Sequence, residues 1–149
     1  MPASRAAPNS RTPRHLWVVG VLALLWNSMG AWDYLMSQTE NQAYMSAFTP
    51  EQLAFFHALP VWAVSAWATG IWGGVLGTLL LLGRRRLSVW VFLASLAGAV
   101  VTTFHTYAVA DGMRIMGGAG SLAFAAMIVL VALGLFLYAR AMDKRGVLV

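Results

Sequence analysis

Four apolar runs divide the chain, and the second sets the frame for the others. Val61 to Leu82, VWAVSAWATGIWGGVLGTLLLL, has no ionisable side chain and is followed by Gly83 and Arg84-Arg85-Arg86. At ~1.5 Å per residue such a run reaches across a ~30 Å hydrocarbon core. The first run covers Leu16 to Met36, the third Ser88 to Ala110, and the fourth about Gly120 to Ala139. The pattern predicts an all-α membrane protein with four transmembrane helices (16–36, 61–82, 88–110 and 120–139) in an up-down bundle.

The polar stretches between these runs are short, with one exception. Residues 1–15 hold three prolines and three arginines and almost nothing apolar, which predicts a disordered basic tail. The start of the first run, behind those arginines, also has the pattern of a signal peptide, with Ser28-Met29-Gly30 as a weak cleavage site. Because apolar and aromatic residues continue to Met36, an uncleaved helix is the expected form. The one sizeable loop is 37–60. It contains Thr39-Glu40-Asn41-Gln42 and Thr49-Pro50-Glu51-Gln52, two matches to the Thr-x-x-Gln capping box. Each predicts a short helix. The second carries Leu53, Phe55, Phe56 and Leu59, which are too apolar for open water. It is expected along the membrane surface or on the bundle mouth, with Pro60 ending it. Asp111 to Gly118 reads as a turn, and 141–149 as a short tail after a single domain at 16–140.

The distribution of charge adds an orientation. Arg5, Arg11, Arg14, Arg84, Arg85, Arg86, Arg140, Lys144 and Arg145 fall on one side of the four runs, and Arg114 alone on the other. Basic loops are retained in the cytoplasm, so both termini are expected there. Trp17, Trp90 and Tyr138 then mark the inner ends of the spans, and Trp32, Tyr34, Trp62 and Tyr107 the outer ends. The composition, 60% hydrophobic and 10% charged, agrees with a bilayer as solvent. In that setting the net charge of +5 is a topology signal rather than a nucleic-acid footprint. The Ala-, Gly-, Leu- and Arg-rich usage points to a bacterial plasma membrane. Without cysteine, thiolate chemistry and disulfides are excluded.

Small residues form the clearest local pattern. Ala66, Gly70, Gly74 and Thr78 recur every four residues, with Thr69, Gly73 and Gly77 on the adjoining stripe, and Ala94, Gly98 and Thr102 repeat it in the third span. Such faces let helices approach to backbone contact in lipid. Packing within one bundle and association with a second copy or a larger complex both fit.

Polar residues near the outer ends form the second candidate. Asn27, Asp33, His57, His105, Asp111 and Arg114 would gather into an outer polar cluster, with His105 or Arg114 as the expected partner of Asp33. Ordinary hydration of helix ends is the alternative. No metal, nucleotide or nucleophile motif is present, so neither a metal nor a cofactor is expected. Haem or metal ligation by His57 and His105 lacks companions at ligand spacing.

The residues Leu25-Trp26-Asn27, Gly30-Ala31-Trp32-Asp33-Tyr34, Ala43-Tyr44-Met45 and Phe48-Thr49-Pro50-Glu51-Gln52 form a series. It continues with Pro60-Val61-Trp62, Ala66-Trp67-Ala68, Gly73-Gly74-Val75-Leu76-Gly77 and Tyr138-Ala139-Arg140. Over most of 16–146 this resembles a family of small four-helix inner-membrane proteins from proteobacteria. The family's function is uncharacterised, and some members carry an automatic "sugar transporter" label. The resemblance implies the fold and the inner membrane, and supplies no catalytic residue. The expected function is that of a non-enzymatic, multi-pass membrane protein acting through helix–helix association, with itself or with a larger complex. The alternative is a small-solute transporter, with sugars as one candidate, working as an oligomer.

Overall fold

A computed structural model describes residues 12–149; residues 1–11, with Arg5 and Arg11, lie outside the described part. The chain forms α1 (Arg14–Gln38), α2 (Gln42–Met45), α3 (Pro50–His57), α4 (Val61–Leu82), α5 (Leu87–Phe104), α6 (Gly112–Ile115) and α7 (Ala119–Lys144). A single π turn, His105–Val109, prolongs α5. Among the described residues four helices are long and apolar enough to cross a membrane: α1, α4, α5 with its π turn, and α7. The described part is therefore all-helical, and its four long apolar helices are compatible with a multi-pass membrane protein. Its large apolar side chains point outward in numbers no water-soluble surface would carry. Trp17, Trp32, Trp62 and Trp90, expected at the span ends, are all more than half exposed.

Three helix boundaries differ from the sequence expectation by two residues or more. The first span begins two residues earlier and ends two later, and the fourth runs five residues further, to Lys144. Thr39 does not start a capping box: its hydroxyl donates to Leu35 O at 2.7 Å and closes α1 instead. Asn41 takes over as the cap of α2, accepting from Tyr44 N at 3.1 Å. The second box forms as read, with Thr49 N donating to Gln52 Oε1 and Gln52 N donating to Thr49 Oγ1. After α6 the chain turns through Gly117 and Gly118, whose φ of +100° and +75° suit glycine.

The helices pack in chain order: α1 on α4, α4 on α5, α5 on α7. The α4–α5 pair is the tightest, and its glycines explain why. A Cβ on Gly98 would sit 2.5 Å from Ala66 O and 2.6 Å from Gly70 N. Gly73 meets Ser95, and Gly77 the ring of Phe92. Ser95 Oγ donates to Gly70 O at 2.6 Å, a bond that only close backbones permit. Gly74 faces the other way, against Asn27 of α1. The predicted small faces are thus filled by neighbours within one chain. Thr69 and Ala94 fall off the contact and are exposed; in α5, Ser95, Gly98 and Thr102 are the buried or half-buried positions.

The apolar core lies at the arginine-rich end, around Leu16, Leu81, Phe92, Leu135, Ala139 and Met142. The last residues complete it. Val147 and Leu148 are buried there. Val149 N donates to Arg84 O at 2.6 Å, and Arg86 N donates to Val149 O at 3.1 Å. Arg84 Nε adds a bond to Val147 O at 3.0 Å, so the tail is pinned to the α4–α5 turn.

Gly98→Ala should destabilise the bundle by about 1–3 kcal/mol, since the added methyl meets backbone rather than a movable side chain. Gly77→Leu should do likewise against Phe92. Gly134, with nothing within 4 Å of its would-be Cβ, should accept leucine within about 0.5 kcal/mol. Unfolding of the three variants in detergent measures this; equal stabilities would remove the close-contact argument.

Candidate functional site

Because α4 and α5 are drawn together, α1 and α7 flank them without packing closely on each other. The gap between α1 and α7 is bridged by side chains. Trp26 and Phe124 approach with ring centroids 6.4 Å apart, and at the arginine-rich end His15 hydrogen-bonds the Tyr138 hydroxyl at 2.6 Å. Between the four helices lies a cavity of about 630 Å³. That is within the ~300–1,000 Å³ of small-molecule sites, and far more than one water fills. Phe92 and Leu135 line its deep end; Ser121 lines it near the opposite end of α7. From Leu135 to Ser121 the helix rises by ~20 Å, so the cavity follows much of a span.

The mouth is roofed by the loop 39–60. Helix α3 lies over the bundle, with Phe55, Phe56 and Leu59 lining the cavity. Phe56 stacks on Trp67 at 6.2 Å and meets Phe48 edge-on at 5.4 Å. Tyr34 packs edge-on against Trp67 at 4.9 Å. Two polar ties fasten the roof to α6: Gln52 Nε2 donates to Ile115 O at 3.2 Å, and Arg114 pairs with Glu51.

The six polar residues expected to cluster divide into two groups. Asn27, Asp33 and His105 line the cavity. Asn27, at mid-helix, donates to Ala23 O at 2.8 Å and to Thr78 Oγ1 at 3.2 Å, so its amide is anchored. Asp33 is paired with neither His105 nor Arg114. Its Oδ1 accepts the hydroxyl of Tyr44, which α2 brings back over the end of α1. His105 opens the π turn, in which Ala110 N donates to His105 O across five residues at 2.9 Å. It is 7% exposed, packs edge-on against Trp62 at 5.0 Å, and its Nδ1 is buried without a hydrogen-bond partner.

The other three residues stay on the rim. His57 faces Glu40 at 3.3 Å. Arg114 bridges Asp111, at 2.8 Å, and Glu51. These hydrogen bonds hold the Arg114 guanidinium above its ordinary value. All are exposed, and such pairs add little to stability. Among the described residues no three His, Cys, Asp or Glu side chains converge as a metal-binding group.

Tyr44 is the functional candidate that residue patterns left unmarked, because its loop position gives no sign that it returns to the first span. Its proximity to Asp33 follows from the Asn41 cap, which turns α2 immediately after α1. Burial, then the hydrogen bond to Asp33, then the Asp33 charge push the Tyr44 phenol up from 10.0 to about 12. Comparison of the chain with protein-family models, with curated proteins and with solved structures finds no match in any of the three.

The raised phenol has a defined consequence. Its folded pKa exceeds the unfolded one, so the fold favours the neutral phenol. That contribution is present below pH 10 and is lost as pH rises from 10 toward 12. Subtracting the phenolate absorbance titration of Tyr44→Phe from that of the unmodified protein should isolate one group titrating near pH 12. Asp33→Asn, which keeps an acceptor and removes the charge, should bring it downward. A difference curve centred at pH 10 in the unmodified protein would dissolve the Tyr44–Asp33 contact.

Proposed function

We propose that this is a non-enzymatic, multi-pass protein of the bacterial inner membrane that holds a small amphipathic molecule between its helices. The observation that carries the reading is the 630 Å³ cavity, apolar at depth and aromatic and polar at its mouth. It favours the solute-handling alternative over purely structural association. The glycine faces that association would have used are occupied within the chain. A second copy or a larger membrane complex would meet the exposed apolar faces instead, such as Leu130 and Leu137 of α7. Transport folds place their sites near the bilayer midplane between helices, which is where Asn27 and Gly74 stand. The resemblance to small inner-membrane proteins, some labelled sugar transporters, supports the same location. The non-enzymatic reading rests on the ionisable groups: those of the rim are engaged with one another, Arg114 with Glu51 and Asp111 and His57 with Glu40, and not with a serine or threonine hydroxyl.

Two measurements test this reading. Ala125 and Ala132 of α7 line the cavity, and replacing both with tryptophan should fill it. Small molecules extracted from protein purified in mild detergent should include one at stoichiometric amount that the Ala125→Trp/Ala132→Trp variant lacks. Identical extracts from two folded proteins would remove the ligand-holding reading.

Orientation is tested separately. Both termini are proposed to be cytoplasmic, on the strength of the positive-inside count. Ser46 and Lys144 are exposed at opposite ends, whereas Ser88 and Val147 are buried and unsuited to labelling. In intact cells an impermeant thiol reagent should modify Ser46→Cys and spare Lys144→Cys. The reverse result would invert the topology.

A further inference from the structure

We infer that the cavity takes a lipophilic organic cation, an inference that rests on the ligand-holding reading above and specifies its ligand. Among the described residues the lining holds no arginine or lysine, and Asp33 is its one carboxylate. Tyr44 occupies one oxygen of that carboxylate. No cation among the described residues pairs with Asp33: at that end Arg114 is held by Glu51 and Asp111, and His57 faces Glu40. A carboxylate facing an apolar cavity without a counter-ion favours a ligand that brings the positive charge.

The walls select for the same class. The rings of Phe48, Phe56 and Trp67 form a continuous aromatic layer at the mouth, with centroid separations of 5.4 and 6.2 Å. Aromatic faces attract a cation within ~6 Å of the ring centre, and more strongly where water is excluded. His105 adds a polar atom, 93% buried by its 7% exposure and without a protein partner at Nδ1, on the cavity wall. The approach is acidic as well. Of the five acidic residues, Asp33, Glu40, Glu51 and Asp111 lie at the loop end, against the single Arg114. That imbalance draws cations toward the mouth and repels anions. The body of the ligand is largely apolar, because the α7 wall, Ile128, Val131 and Leu135, offers it no side-chain hydrogen bond, and Ser95 opposite already donates to Gly70 O.

The test uses the full chain in lipid nanodiscs and three probes of similar shape. These are tetraphenylphosphonium (cation), tetraphenylborate (anion) and triphenylphosphine oxide (neutral). Tetraphenylphosphonium should bind saturably and at least tenfold more tightly than the other two. Asp33→Asn, which still accepts the Tyr44 hydroxyl, should weaken it at least tenfold. Asp143→Asn, at the arginine-rich end beside Arg86, should leave it unchanged. Equal binding of the cation and the neutral probe, unaffected by Asp33→Asn, would overturn the cation assignment and leave the ligand-holding reading intact. Preference for tetraphenylborate would overturn it too. Saturable binding of none of the three, in a protein whose fold is verified by its melting transition, would overturn both.

Discussion

The close approach of α4 and α5 at Gly70 and Gly98 is the constraint from which the rest of the arrangement follows. In lipid, burial of apolar surface no longer drives helices together, because the acyl chains are as apolar as leucine. What remains is van der Waals contact between smooth faces, interhelical hydrogen bonds and the short connection between neighbours. Here all three coincide: Gly98 on Ala66 and Gly70, Ser95 Oγ on Gly70 O, and a four-residue turn at 83–86. Each hydrogen bond of this kind contributes only ~0.6 kcal/mol on average, so the backbone contact is the larger effect. With that pair drawn tight, α1 can follow only α4, and α7 only α5. The gap between α1 and α7 is a consequence of the glycines.

The two ends of the bundle treat that gap differently. At the arginine-rich end Leu16, Leu81, Phe92 and Met142 fill it, and the pinned tail adds Leu148. At the loop end bulky rings hold the helices apart. Trp26 and Phe124 meet only through their side chains, and the aromatic roof closes the top without filling the space below. A core at one end and a cavity at the other allow one chain to be both rigid and hollow.

Most of the fold was legible because lipid imposes simple rules on sequence. Twenty apolar residues, a proline, a capping box and an arginine triplet are local signals, and each was found near its place. The π turn at His105 was not legible, since it arises from a one-residue shift in hydrogen bonding that no local pattern encodes. Nor was the docking of Val147 and Leu148, two apolar residues too few to register as an element. The candidate site was half legible. Asn27, Asp33 and His105 stood out as polar groups in apolar runs, and the structure puts all three on one cavity. Their grouping with His57, Asp111 and Arg114 did not follow. Exposed rim charges find partners of their own, Glu40 for His57 and Glu51 with Asp111 for Arg114. The partner of Asp33 was instead a tyrosine eleven residues on, delivered by a cap at Asn41.

That substitution of Tyr44 for a cation changes what the site is able to do. An Asp33–Arg114 pair would have neutralised the mouth and locked α1 to the turn after α5. A phenol satisfies one carboxylate oxygen while leaving the charge in place, so the cavity keeps an uncompensated anion beside aromatic walls. The same geometry leaves α1 joined to α7 by side chains: Trp26 to Phe124, His15 to Tyr138, and Leu16 in one core with Ala139 and Met142. At the loop end the α4–α5 contact is backbone on backbone, whereas α1 and α7 meet there through one ring contact, Trp26 on Phe124.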